Sequence, residues 1–202
     1  MKVMLINGSS NSNGCTFRAL KEIETVLNKE KIETEVIQLG SGAVKDCIGC
    51  RACVQNDNKC IFNDDTVNEI IEKAKTSDGF VFGSPVYYAH PSGRLLSVLD
   101  RVFYAGSKFF AYKPGAAVVS ARRAGTTAAV DVINKYFTIN NMPVVSSQYW
   151  NMVHGSKQDD VEKDLEGLQI MRTIGKNMAW LLNALKSEHP EPEIKIMTNF
   201  IR

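Results

Sequence analysis

Residues 2–16 read Lys-Val-Met-Leu-Ile-Asn-Gly-Ser-Ser-Asn-Ser-Asn-Gly-Cys-Thr, and the order of these residue types decides the fold. Val3 to Ile6 is a short unbroken apolar run, as a strand covered on both faces requires, and Gly8 stops it. Phe17, Leu20, Ile23, Val26 and Leu27 then recur at helical spacing. Strand, polar turn and helix in that order predict the start of a parallel α/β sheet. Such sheets bind ligands beyond the carboxyl ends of their strands, where the winding direction reverses. The turn from Gly8 to Thr16 is therefore the first candidate site.

The alternation continues outward from this start. Thr34 to Leu39 reads as a second strand, closed by Gly40-Ser41-Gly42. Asp64, Asp65 and Thr66 are candidate N-caps for a helix with Val67, Ile70, Ile71 and Ala74 on one face, and Glu69 can complete a capping box with Thr66. Gly79 to Gly83 reads as a buried third strand ended by Ser84-Pro85, and Leu95 to Phe103 as the next helix. Gly115 to Ser120 is the expected fourth strand, Thr126 to Phe137 a helix, and Met142 to Ser146 the fifth strand. Apolar steps from Val161 to Leu185 predict a long last helix ending before Pro190. The expected architecture is α/β: a doubly wound, five-stranded parallel sheet with helices on both faces and right-handed crossovers. Residues 1–202 are expected to form a single domain, with a cysteine-rich insertion at 45–63 and a loosely attached tail from 187.

Apolar residues make up 44% of the chain and charged residues 23%, a balance that supports a buried core and argues against disorder. The net charge of +2 and the lack of a basic cluster with interleaved aromatics exclude nucleic acid as an expected partner. No membrane is expected either, because no segment approaches about 18 apolar residues. Asn7-Gly8 also halts the first apolar run before a signal-peptide core forms. A cytoplasmic location follows as the expectation, and with it five reduced cysteines, read as ligands, reactive thiols or core fillers before disulfides.

The Gly8–Thr16 turn is neither a dinucleotide fingerprint nor a P-loop, since the glycine spacing and the Lys-Ser/Thr pair are absent. Its hydroxyls, amides and backbone N–H groups ahead of a helix suit a single terminal phosphate; ordinary turn and cap chemistry is the competing reading. Cys47-x2-Cys50-x2-Cys53-x6-Cys60 is the most specific short pattern. Cubane iron–sulfur clusters use such closely spaced runs, whereas zinc favours two separated pairs; empty reduced thiols also stay open. Cys15 stands at a helix start, where a thiol pKa can fall, although a bound phosphate would oppose this, and a small pocket residue is the expected role.

With these motifs the sequence resembles the NAD(P)H-dependent FMN reductase family and its relatives, the iron–sulfur flavoproteins. Gly8, Ser9 and Thr16 match the family's first loop, while Asn11 stands at the family's arginine position. Ser84-Pro85-Val86-Tyr87-Tyr88 and Ser120-Ala121-Arg122-Arg123-Ala124-Gly125-Thr126 look like its second and third loops. The resemblance implies a flavodoxin-like sheet of order 2-1-3-4-5 that binds FMN. Ser9, Asn11, Ser12, Asn13, Gly14, Cys15 and Thr16 would hold the phosphate, while Pro85, Val86, Tyr87 and Tyr88 would line the ring. Ser120, Arg122, Arg123, Gly125 and Thr126 would form the third flavin loop, the arginines serving the reduced flavin or a dinucleotide's phosphates. It further implies a 4Fe-4S cluster on Cys47, Cys50, Cys53 and Cys60, NAD(P)H as co-substrate, and no catalytic side chain, since the flavin carries the chemistry. The implied acceptor is a flavin, a quinone or a similar small molecule; the alternative is an electron carrier paired with a redox protein such as ferredoxin. A homodimer or homotetramer is implied by the resemblance alone. The Asp100-Arg101 pair is read as structural, and His90, His154 and His189 receive no role.

Overall fold

The computed structural model describes residues 1–185, 189–194, 196 and 198. Its strands are β1 Lys2–Asn7, β2 Glu33–Gln38, β3 Gly79–Tyr87, β4 His90–Pro91, β5 Gly115–Ala121 and β6 Met152–His154. The helices are α1 Cys15–Lys29, α2 Val67–Ala74, α3 Gly93–Gly106, α4 Thr126–Ile139, α5 Gln158–Val161 and α6 Leu165–Ala184. β2-β1-β3-β5-β6 form the parallel path, and β4 pairs antiparallel with β3 as a two-residue hairpin strand. Counted without that hairpin, the path is the five-stranded 2-1-3-4-5 order of the flavodoxin-like fold.

The period of two along each strand divides the core. Val3, Leu5, Val81, Ala116 and Val118 pack with residues of α1 and α6, including Leu20, Ile23, Met171 and Ile174. The alternate residues Met4, Ile6, Phe80, Phe82, Ala117 and Val119 pack with α2, α3 and α4. Because both faces of every central strand are covered, β1, β3 and β5 are apolar without alternation.

Three expectations are corrected. The third strand does not stop at Ser84-Pro85; β3 runs on to Tyr87, with Pro85 opposite Ser120. Proline is tolerated there because β1 ends at Asn7, opposite Gly83, so no β1 ladder passes Pro85. The fifth strand is Met152–His154 instead of Met142–Ser146, which makes a single bridge, Gly115 with Val144. Pro143 has no N–H to extend that ladder, and the chain leaves the sheet until Asn151 rejoins it, its carbonyl accepting from Val119 N–H at 3.0 Å. Finally, Thr66 makes no side-chain cap; Asp65 Oδ1 accepts the Val67 N–H at 3.1 Å instead. The expected tail from 187 lies partly outside the described residues, and 189–194 have no regular secondary structure. Among the described residues, no helix is long and apolar enough to cross a membrane.

A charged seam fastens α1 to α5 and α6: Arg18 meets Glu22 and Glu162, and Arg172 meets Glu22 at 2.7 Å. Burial raises the Glu22 carboxyl, but hydrogen bonds from Arg172 and Arg18 outweigh it and hold the group below its ordinary 4.5. Such a carboxylate stabilises the fold above its unfolded pKa, and that contribution is lost as pH falls through the depressed folded value. Glu22→Gln is therefore expected to cost about 1 kcal/mol at neutral pH and to flatten the acid limb of the stability curve. Urea midpoints at neutral and acid pH measure this; parallel curves for the two proteins would contradict it.

Candidate functional site

The first turn leaves β1 at the point where the winding reverses, between β1 and β3. Its conformation is set from below by a lattice of buried and half-buried polar side chains. Asn7 Oδ1 accepts the Ser9 N–H at 3.1 Å, and Asn7 Nδ2 donates to Gln38 Oε1 at 2.5 Å. Gln38 Nε2 donates in turn to the Ser9 carbonyl at 2.6 Å. Gly8 N–H donates to the Gly83 carbonyl at 2.8 Å, and a Cβ on Gly8 would lie 2.8 Å from that same oxygen. Only glycine allows this approach.

Ser92 supports the turn from α3. Its Oγ donates to the Gly8 carbonyl at 2.8 Å and accepts the Leu95 N–H at 3.2 Å, so one hydroxyl caps α3 and holds the turn. Ser92→Ala is expected to cost about 1–2 kcal/mol and to weaken cofactor binding several-fold by releasing Gly8. Chemical denaturation and a ligand titration on the same variant measure both effects, and a variant unchanged in both contradicts this role.

Within the turn, Ser9 Oγ accepts the Asn11 N–H and Asn11 Oδ1 accepts the Asn13 N–H. Asn11, Ser12 and Asn13 are exposed and Gly14 is buried. Helix α1 follows with no side-chain cap and no acidic residue in its first turn. Its leading N–H groups therefore lack helix acceptors and present the positive end of the helix dipole. Burial raises the Cys15 thiol and outweighs its backbone hydrogen bond, so the helix start does not make it acidic.

Three turns meet at this edge. Thr16 Oγ1 and Ser120 Oγ lie 2.8 Å apart, joining the first turn to the end of β5. Ser10 Oγ and Tyr87 Oη lie 3.0 Å apart, joining it to the β3 extension. Gly125, at φ +92°, lies so close to the same extension that an added Cβ would be 3.0 Å from Val86 Cγ1. Burial pushes the Tyr87 hydroxyl up, but hydrogen bonds with Ser10 and Ser9, together with the charge of Arg94, hold it below its usual pKa. Tyr88 is fully exposed in the left-handed region at φ 59°, and Arg122 and Arg123 are exposed at the tip of the third turn. Among the described residues neither arginine forms a salt bridge with Asp or Glu. Tyr149 and Trp150 pack edge to face at 4.7 Å, each about half exposed.

The cysteine loop lies along the other half of α3. Gly49, Arg51, Asp57 and Asn58 all adopt positive φ, which winds the segment tightly. Asn68 grips its end, accepting the Cys60 N–H at 2.8 Å and donating to the Cys60 carbonyl at 2.9 Å. Cys47, Cys50, Cys53 and Cys60 all line one cavity, together with Ile61, Phe62, Arg101 and Tyr104. All four are free thiols, Cys47 and Cys50 exposed and the other two half-buried. Burial raises the Cys53 thiol, and the neighbouring cysteines raise it further. Arg101 lies nine positions along the chain from Ser92, the N-cap of α3, about 14 Å at 1.5 Å per residue.

Among the described residues, no three ligand-type side chains are close enough together to hold a single metal ion. Zinc bonded at about 2.3 Å would need the four sulfurs drawn around one point. A cubane of four irons is wider and takes one thiolate at each corner, so four thiols spread around one cavity suit it better than one ion.

Residues 1–157 match the family described as NADPH-dependent FMN reductase. An iron–sulfur flavoprotein of Methanocaldococcus jannaschii is 34% identical over 194 residues, covering 92% of this chain and 100% of that relative. The chain belongs to the NADPH-dependent FMN reductase family. A second iron–sulfur flavoprotein, from Methanosarcina thermophila, is 27% identical over 190 residues, covering 92% of this chain and 97% of its own length. Among solved structures, an oxidoreductase from Corynebacterium diphtheriae superposes with a TM-score of 0.64 at 13% identity, covering 91% of this chain and 97% of that one. An archaeal flavodoxin gives 0.61 at 15% identity, covering 91% and 99%. At such identities these two likenesses concern the fold.

In this member of the FMN reductase family the three expected turns converge at one edge and the four cysteines line one cavity, and polar residues outside the expected site, together with Ser84 of the second loop, support the turns. Asn7, Gln38, Ser84 and Ser92 lie beneath the first two turns, and Ser84 Oγ accepts the Ser92 N–H at 2.9 Å. One signal was available: Asn7 is the polar residue that closes an otherwise apolar strand. Arg101, expected to be structural, hydrogen-bonds the Lys45 and Phe62 carbonyls and also reaches the cysteine cavity, with Nε donating to Cys60 Sγ at 3.2 Å.

Proposed function

We propose that this chain is an FMN-binding oxidoreductase that carries electrons between FMN at the three converging turns and a 4Fe-4S cluster on Cys47, Cys50, Cys53 and Cys60. The observation that carries this reading is that all four cysteines line one cavity, against the helix whose N-cap Ser92 supports the candidate FMN site. The first turn and the uncapped start of α1 supply neutral donors for the phosphate: the Ser12 and Thr16 hydroxyls, the Asn13 amide and the α1 N–H groups. Asn11, where the family has arginine, adds no charge, so the helix dipole contributes a larger share. Pro85, Val86, Tyr87 and Tyr88 line the ring, and Ser120, Gly125 and Thr126 close its far side, with Arg122 and Arg123 as exposed cations for anionic groups. When bound, FMN supplies both two-electron and one-electron chemistry, and a cluster supplies one-electron transfer. The protein holds, orients and shields these groups, and no side chain serves as an acid or base.

The electron donor divides the reading in two. NAD(P)H as co-substrate is supported by the family's description, and a protein carrier of the ferredoxin kind by the cysteine cavity. Anaerobic stopped-flow reduction separates these. Fast bleaching of the flavin by NADH or NADPH establishes the nicotinamide donor, whereas bleaching by a reduced ferredoxin alone establishes the carrier. An ultraviolet–visible spectrum with iron and sulfide assay tests the pair of cofactors, and protein that takes up FMN but neither iron nor sulfide would reduce the proposal to a flavin reductase.

A further inference from the structure

We infer that Arg101 and Asp65 form a buried charge pair that sets the reduction potential of the cluster, Arg101 raising it and Asp65 lowering it. The inference rests on the cluster reading above. Arg101 is 1% exposed, the largest fully buried side chain in the described protein. A guanidinium has five N–H donors, and here each has an acceptor. Nη1 donates to the Lys45 carbonyl at 3.1 Å and to Asp65 Oδ2, and Nη2 donates to the Phe62 carbonyl at 3.1 Å and to Asp65 Oδ1 at 3.2 Å. The fifth donor, Nε, donates to Cys60 Sγ at 3.2 Å.

Four of those bonds hold the loop closed, and the fifth holds a sulfur that is a candidate ligand. The fork fixes which edge faces which group. Asp65 binds the Nη edge, and the thiol binds Nε. The cation is therefore in contact with the ligand sulfur, while its counter-ion is one guanidinium farther away. A ligated sulfur gains negative charge when the cluster accepts an electron, and a hydrogen bond from a cation favours that more negative state. Burial keeps water from screening the effect: the Asp65 side chain is 7% exposed and that of Arg101 0%.

The pair predicts opposite signs for its two members. Asp65→Asn keeps the Oδ1 that accepts the Val67 N–H, so the start of α2 is retained, and it leaves Arg101 uncompensated. Arg101→Gln removes the cation and leaves Asp65 uncompensated. In anaerobically reconstituted full-length protein, a mediated dithionite titration followed by electron paramagnetic resonance reads the potential. Asp65→Asn is expected to favour the reduced cluster about tenfold, a rise of about 59 mV for one electron, and Arg101→Gln to disfavour it by at least as much. Should Arg101→Gln fail to assemble, Asp65→Asn decides alone. Potentials equal to wild type, or a fall in Asp65→Asn, overturn the inference while leaving the cluster in place. Wild-type protein that takes up no iron and sulfide overturns the cluster reading and this inference with it.

Discussion

Converting Cys50 and Cys53 together to serine is expected to reduce the iron content of reconstituted protein from about four per chain to almost none, while FMN binding is unchanged. Both halves follow from position. The two thiols come from the tightly wound segment and line the same cavity as Cys47 and Cys60, so two remaining ligands cannot hold a cubane. The segment is anchored by groups the substitution leaves intact, Asn68 on the Cys60 backbone and Arg101 on the Lys45 and Phe62 carbonyls. The turns proposed to hold FMN lie toward the opposite end of α3, and none of their side chains lines the cavity. Iron and sulfide assay with a parallel FMN titration measures the result; retained iron, or FMN binding lost together with it, contradicts the proposed separation of the two sites.

Gly125→Val is expected to weaken FMN binding about 10- to 100-fold, or about 1.4–2.8 kcal/mol. At φ +92° a residue with a Cβ is strained by about 1–2 kcal/mol, and β-branching makes the position worse. The new Cβ would also stand 3.0 Å from Val86 Cγ1, so the third turn must move off the β3 extension. Gly125 precedes α4, and the displacement carries Arg122, Arg123 and Thr126 away from the first turn. Gly125→Ala should show a smaller loss. Titration of flavin-free protein measures both, and affinities equal to wild type would remove the third turn from the site.

The fold was legible where residue type and period agreed. Val3 to Ile6 and Gly79 to Gly83 are unbroken apolar runs of the kind a doubly covered sheet requires, and the stripe Leu20, Ile23 and Leu27 is buried as its spacing requires. The edge of the sheet was less legible. Met142 to Ser146 has strand-like composition, but whether it pairs depends on Pro143 and on a detour that only tertiary contacts reveal. The end of β3 was misjudged for a related reason. Proline stops a strand only where a neighbour needs its N–H, and no β1 neighbour remains at Pro85. In the site, the turns and cysteines announce themselves through local clusters of residue types. Their supports come from distant positions: Gln38 is 29 residues from Ser9, and Ser92 is 84 from Gly8. No local pattern joins such residues.

The most direct test of the three-turn site is a comparison of FMN with riboflavin, which differ only in the terminal phosphate. Flavin-free protein titrated with each ligand, followed by flavin fluorescence quenching, should bind one FMN per chain and bind riboflavin far more weakly. Equal affinity for the two, or no uptake of FMN, would show that the turn from Gly8 to Thr16 holds no phosphate and would contradict the account.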